Sequence, residues 1–150
     1  VEINGHSFEL LAYVVKGDPV GKQRHRDGKN GSKYTPQKTR DYQHRIAWMT
    51  ASQRNLREGA IATKSDAIFV NVRAMFARPN YLKKPNAADG LIVKRSKPDA
   101  DNILKAVNDG IAKSGVMPDD AYYVGCQVFR YWVERGGTPR TEIEIYRIIE

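Results

Sequence analysis

The stretch from Lys97 to Asp120, KPDADNILKAVNDGIAKSGVMPDD, constrains this chain more than any other. It opens with two carboxylates, Asp99 and Asp101, and closes on a second acidic pair, Asp119 and Asp120. Between them lies a helix signal. Pro98 favours an extended conformation in the residue before it, so the chain should arrive as strand or loop. Asp101 is then a good N-cap, because its carboxylate can accept from the free amides of the first turn. Leu104, Val107 and Ile111 recur at helical spacing, and Ile103 and Ala106 widen the apolar stripe. Gly115 suits the left-handed conformation that ends a helix, while Asn108 and Gly110 make this one a weaker helix former than usual. The polar face carries Asp101, Lys105, Asp109 and Lys113, each four residues from the next.

Two readings of those charges stay open on the residues alone. The plain one is a solvated ladder of ion pairs, worth about 0.2–0.5 kcal/mol per pair. The other is a metal site. Acids at a strand-to-helix junction, met by two more after the helix, repel one another unless a cation neutralises them. Oxygen-only ligands in an open arrangement suit Mg²⁺, with Mn²⁺ as a substitute, and leave positions for water and phosphate.

The run Asp99-Ala100-Asp101-Asn102-Ile103-Leu104-Lys105, then Asp109, then Asp119-Asp120-Ala121, resembles the core of the RusA-type Holliday-junction resolvases. The family pattern has two aspartates flanking one residue, an asparagine, a lysine four residues after the second aspartate, and a later Asp-Asp pair. The resemblance implies a small, homodimeric, Mg²⁺-dependent endonuclease of a kind often encoded by prophages. Carried over by position, Asp99, Asp101 and Asp120 resemble the metal-binding carboxylates, with Asp119 the adjacent acid. Lys105 resembles the catalytic lysine. The acidic core spans about residues 97–121.

A second region points the same way. Residues 16–45 read as a polar arm with turn signals at Gly17, Gly21, Gly28 and Gly31. Between Lys22 and Arg45 stand Lys22, Arg24, Arg26, Lys29, Lys33, Lys38, Arg40 and Arg45 against Asp27 and Asp41, a net of +6. That density, with Tyr34 among it, favours phosphate binding by Lys22, Arg24, Arg26, Lys33, Lys38 and Arg40 over a merely solvated loop. The string Pro19-Val20-Gly21-Lys22-Gln23-Arg24-His25-Arg26, with Tyr34-Thr35-Pro36 and Thr39, also resembles the N-terminal part of one branch of that family. The branch usually has proline where His25 stands. The net charge of the whole chain, +8, also points to a polyanionic partner.

The remaining elements follow from pattern. Ser7 to Val15 reads as a strand. Thr35 as N-cap and Pro36 at the first position should start a helix running to about Arg57, with Tyr42, Ile46, Met49 and Leu56 on its apolar face. Trp48 on that helix is expected in the core or a dimer contact, and His44 at the surface. Asp66 to Ala77 alternates as a strand with one face on the core. Pro79 to Ser96 is a long connection whose positive charges, Arg78, Lys83, Lys84, Lys94 and Arg95, could meet a DNA backbone near the acidic core. Tyr122–Glu134 and Thr141–Ile149 read as two strands, joined at Gly136-Gly137 as a hairpin, with Phe129, Tyr131 and Trp132 in the core. Together these give α+β: one small domain over residues 1–150, a mixed sheet with two main helices on one side and a C-terminal hairpin.

One cysteine, Cys126, rules out an internal disulfide and a cysteine zinc site and fits a reducing, cytoplasmic setting. No run approaches the ~18 apolar residues of a membrane span, and no charged-then-apolar leader opens the sequence. The expectation is a Mg²⁺-dependent, structure-selective DNA endonuclease that resolves four-way junctions, acting as a homodimer without membrane or small-molecule cofactor. A non-enzymatic nucleic-acid binder would explain the arm but not the carboxylates. A small Mg²⁺-dependent phosphatase would explain the carboxylates but not the arm.

Overall fold

Alternation of apolar residues along Ala67–Phe76 (β4) builds the centre of the molecule, with Val70, Val72 and Ala74 fully buried on one face. The computed structural model describes residues 7–23, 26–56 and 59–149. In chain order the other elements are β1 (Ser7–Lys16), β2 (Arg26–Asp27), β3 (Lys33–Tyr34), α1 (Gln37–Ser52), β5 (Ile92–Val93), α2 (Ala100–Lys113), β6 (Tyr123–Trp132) and β7 (Arg140–Ile149). The main sheet runs β1-β7-β4-β6-β5, and β2 with β3 forms a separate two-stranded ribbon in the arm. β4 pairs parallel with β6 and antiparallel with β7, while β1 with β7 and β5 with β6 are antiparallel. The class is α+β with a mixed sheet and two helices.

The chain crosses from β1 through α1 to β4, then from β4 through α2 to β6, stepping the same way across the sheet each time. Crossovers of one hand then put both helices on one face. They pack there against each other. At their contact sits Gly110, where an added Cβ would come within 2.8 Å of the Ile46 Cβ and 3.0 Å of the Gln43 carbonyl. The weak helix former inside α2 is therefore what allows close approach. Tyr42, Ile46, Ile103, Ala106, Val107 and Ile111 close the core over Val15, Ile143 and Ile145. Buried hydroxyls are satisfied inside it, Tyr13 with Thr50 at 2.6 Å and Tyr42 with Thr141 at 2.5 Å.

Several details differ from the sequence reading. β6 and β7 follow one another in opposite directions, yet β4 lies between them, so they are not hydrogen-bonded partners. Stepping over one strand needs about 10 Å, which residues 133–139 span easily. Pro36 itself is the N-cap of α1, one residue later than expected, and α1 ends at Ser52 before a 3₁₀ turn, Gln53–Leu56. Phe129 is exposed rather than in the core, and so is Trp48, which leaves a dimer contact as the remaining part of its expectation. Among the described residues no helix is long and apolar enough to cross a membrane.

Candidate active site

α2 begins at Ala100, with Asp99 at its N-cap in an extended conformation. The Asp99 carbonyl accepts the Ile103 amide at 3.1 Å, but its carboxylate makes no capping bond. Asp101 therefore sits within the first turn and is not the cap; the helix starts two residues earlier than an Asp101 cap would set it. The Asp101 and Lys105 side chains are 70% and 60% exposed, and they meet at 3.6 Å.

The expected ladder stops after that rung. Each four-residue step on an α-helix overshoots one face by about 40°, so Asp109 lies about 80° round from Asp101. There it meets the arm and α1 instead of Lys105. Lys22 Nζ donates to Asp109 at 2.8 Å, Gln43 Nε2 approaches the same oxygen at 3.5 Å, and Lys113 donates to Gln43 Oε1 at 2.5 Å. The Lys22 amide also donates to the Asn102 carbonyl at 2.9 Å. Beside it Gly21 lies so close that an added Cβ would be 2.7 Å from the Pro98 Cβ. The arm is thus docked along α2, and Lys22, expected on phosphate, is engaged with Asp109.

The second acidic pair returns to the same helix. Asp119 accepts from the Ala121 amide at 2.9 Å and so caps the short turn Asp120–Tyr122. That bond, helped by a hydrogen bond with Asp120, holds the Asp119 carboxyl below its usual range. Asp120 moves the other way: burial raises it first, then the hydrogen bond and charge of Asp119 and the charge of Asp109, against a hydrogen bond from Asn108. Asn108 is seven residues from Asp101, two turns along the same side of the helix and about 10 Å away. Asp101, Lys105, Asn108 and Asp120 therefore form a strip along one side of α2. Asn108 escaped the sequence reading, although its i+7 spacing from Asp101 was visible.

Among the described residues no three Asp, Glu, His or Cys side chains lie close enough to hold one metal ion. The donor chemistry nevertheless fits a hard divalent cation. The donors are carboxylate oxygens, Asp99 is not engaged in capping, and burial, then the acids beside it, raise the Asp120 pKa.

A cavity of about 940 Å³ opens between the arm and the start of α2, walled by Lys22, Lys38 and Lys97, with Asp99 at one side and Pro19 and Trp132 among its apolar lining. Lys97 opens the acidic stretch without any local signal of a site; its place in the groove depends on the arm folding over it. Lys33, Lys38 and Arg40 are exposed, as is Tyr34. Arg24 and His25 lie outside the described residues, and Arg26 belongs to β2.

The connection after β4 departs most from expectation. Arg78 is buried and donates to the carbonyls of Val133, Leu82, Ala88, Asp89 and Gly90 at 2.7–3.3 Å. Lys94 is buried too. Neither faces DNA. Lys83, Lys84 and Arg95 are exposed.

An exposed aspartate–lysine pair on α2, a second acidic pair returned beside that helix and a lysine-walled groove at its start are the features of a protein with a polyanionic partner. The chain belongs to the RusA endodeoxyribonuclease family: the family model described as Endodeoxyribonuclease RusA matches residues 16–146. That span takes in the arm, both helices and most of the sheet. Over 147 residues the chain is also 28% identical to Uncharacterized protein YqaN of Bacillus subtilis (strain 168), covering 94% of this chain and 99% of that protein.

Proposed function

We propose that this protein is a Mg²⁺-dependent, structure-selective DNA endonuclease that resolves four-way junctions by paired symmetric nicks. The observation that carries the reading is the α2 strip inside a chain of this family: Asp101 and Lys105 exposed together, with Asp120 brought back beside Asn108. The reaction class is phosphodiester hydrolysis, in which water adds to phosphorus and a deoxyribose oxygen leaves.

Asp99, Asp101 and Asp120, with Asp119 adjacent, are the residues that would hold the ion. When bound, a divalent cation there supplies polarisation of the scissile phosphate and a more acidic water. Lys105, on the exposed side of α2, offers its ammonium to charge that gathers on the phosphate oxygens or leaving group. Lys33, Lys38, Arg40, Arg24 and Arg26 hold flanking phosphates, which gives affinity without base specificity. Lys22 contributes by a different route, tying the arm to Asp109 so that the groove meets the strip. One chain offers one such strip, and two symmetric nicks need two, so the working unit is a two-fold dimer in the cytoplasm.

The test is cleavage of labelled junction, linear duplex and a small phosphoester, each with and without Mg²⁺. A resolvase nicks the junction in paired positions and needs the ion. Asp101→Asn should lose nicking and keep, or strengthen, junction binding, because a negative charge facing phosphate is removed. Binding without cleavage of any substrate, or turnover of the small ester alone, would replace this reading.

A further inference from the structure

The three residues before Asp99 are held in an unusual way. Lys94 Nζ donates to the Ser96 carbonyl at 2.8 Å, to Ser96 Oγ at 3.0 Å, and to the Lys97 carbonyl. Arg130, on β6, donates from Nη1 to the Ser96 carbonyl at 2.7 Å and to the Pro98 carbonyl at 3.1 Å. Two cations, one just after β5 and one on β6, thus occupy the carbonyls of Ser96, Lys97 and Pro98, the whole approach to the N-cap of α2. Backbone pairing adds one link, the Lys94 amide to the Arg130 carbonyl at 3.1 Å.

Lys94 is the more telling of the two. It is 3% exposed and forms no salt bridge among those described. Its ammonium lies over the rings of Phe76 and Trp132, 4.8 and 4.7 Å from their centroids. A buried ammonium without an acid is costly, and carbonyl dipoles and ring faces offset only part of that cost. Burial, with Arg130 nearby, pulls its pKa down. A neutral amide would tether a loop at lower cost. An ammonium differs from an amide in offering three donors from one atom, and here all three are spent on Ser96 and Lys97.

We infer that Lys94 and Arg130 are positioning residues, which fix the Ser96–Pro98 segment so that the Asp99 carboxylate, unused in capping, is presented to the groove ready for a divalent cation. The inference rests on the nuclease reading of the site. It goes beyond it in placing part of the cation affinity in two side chains that touch neither the ion nor DNA.

The experiment compares wild type with Lys94→Met and Arg130→Met, each keeping an unbranched apolar stem. Two midpoints are read for each protein: the Mg²⁺ concentration that half-saturates the rise in melting temperature, and the one that half-saturates single-turnover nicking of a junction. Junction affinity is measured separately in chelator. Both Mg²⁺ midpoints should rise about tenfold or more in each variant, the usual effect of removing a group that orients a ligand. Nicking should recover at high Mg²⁺, and affinity in chelator should stay within about twofold. Lower melting temperatures with unchanged Mg²⁺ midpoints would overturn the inference and leave the two cations as scaffolding. Loss of junction affinity in chelator would overturn it in favour of a DNA contact. If Lys94→Met fails to fold, the partly exposed Arg130→Met decides alone by the same midpoints. A wild type that neither melts higher nor nicks with Mg²⁺ would sink the nuclease reading itself, an outcome distinct from variants that merely match a responsive wild type.

Discussion

The arm over residues 16–45 and the connection over residues 78–97 look alike in sequence: both are long, basic and broken by glycine or proline. They differ in what two of the connection's cations do, while Lys83, Lys84, Arg95 and Lys97 stay exposed like those of the arm. In the connection, Arg78 and Lys94 are buried and bonded to backbone carbonyls that no strand or helix pairs. In the arm, Lys33, Lys38 and Arg40 stay exposed, and among the described residues only Lys22 is drawn into an ion pair with α2. A buried carbonyl without a partner is expensive, so a loop that folds back over a core recruits the nearest cation as its donor. A loop lying along the surface has no such need, and its cations remain available to phosphate.

The largest effect that could break this comparison is at Arg78. Arg78→Met removes the donor shared by five carbonyls and should cost about 3 kcal/mol, or about 10 °C in melting temperature for a domain of this size. A melt that overlays wild type would return Arg78 to the surface charges. Next comes the arm. Lys33→Ala with Lys38→Ala should leave the melt within about 0.5 kcal/mol, yet flatten the log–log slope of junction affinity against salt by about one unit per lost phosphate contact. An unchanged slope with unchanged affinity would make the arm a solvated loop after all.

The acids offer the smallest and sharpest version of the contrast. Asp109 is paired with Lys22, whereas Asp120 has acids for neighbours and its pKa is raised, burial being the first cause. A raised carboxyl pKa means that the native state holds the proton more tightly than the unfolded chain. Its contribution is then most favourable at low pH and declines as pH rises from about 4, the unfolded value, through the raised one. Asp120→Asn should remove that decline from melts followed in chelator across this range. A variant whose pH profile keeps the same decline would show that Asp120 is not the group responsible.

Local spacing made the strands and both helices legible, because period two and period 3.6 are imposed residue by residue. Val70, Val72 and Ala74 could be placed in the core from alternation alone. What escaped was set at long range. Nothing within β6 or β7 says that β4 will lie between them. β5 is two residues long, too short to carry a period. The even spacing of Asp101, Lys105, Asp109 and Lys113 looked like a ladder, but helical drift hands Asp109 to an arm residue 87 positions earlier. The acidic motif was readable by residue type and order. That Asp99 would sit at the N-cap without capping, with Lys94 and Arg130 bonded to the carbonyls before it, depends on where β6 brings Arg130 and where the chain after β5 brings Lys94.

Single-turnover cleavage of a four-way junction by Lys105→Ala, at saturating enzyme and Mg²⁺, tests the account most directly. Lys105 and Asp101 are both largely exposed, so their ion pair is worth at most about 0.5 kcal/mol and its loss should hardly move the melt. If the α2 strip is the nuclease site, the variant folds, binds junction and nicks at least about a hundredfold more slowly, as expected on removing one donor to charge that develops in the transition state. Nicking within a fewfold of wild type would contradict the account and leave Lys105 as the single rung of a surface ladder.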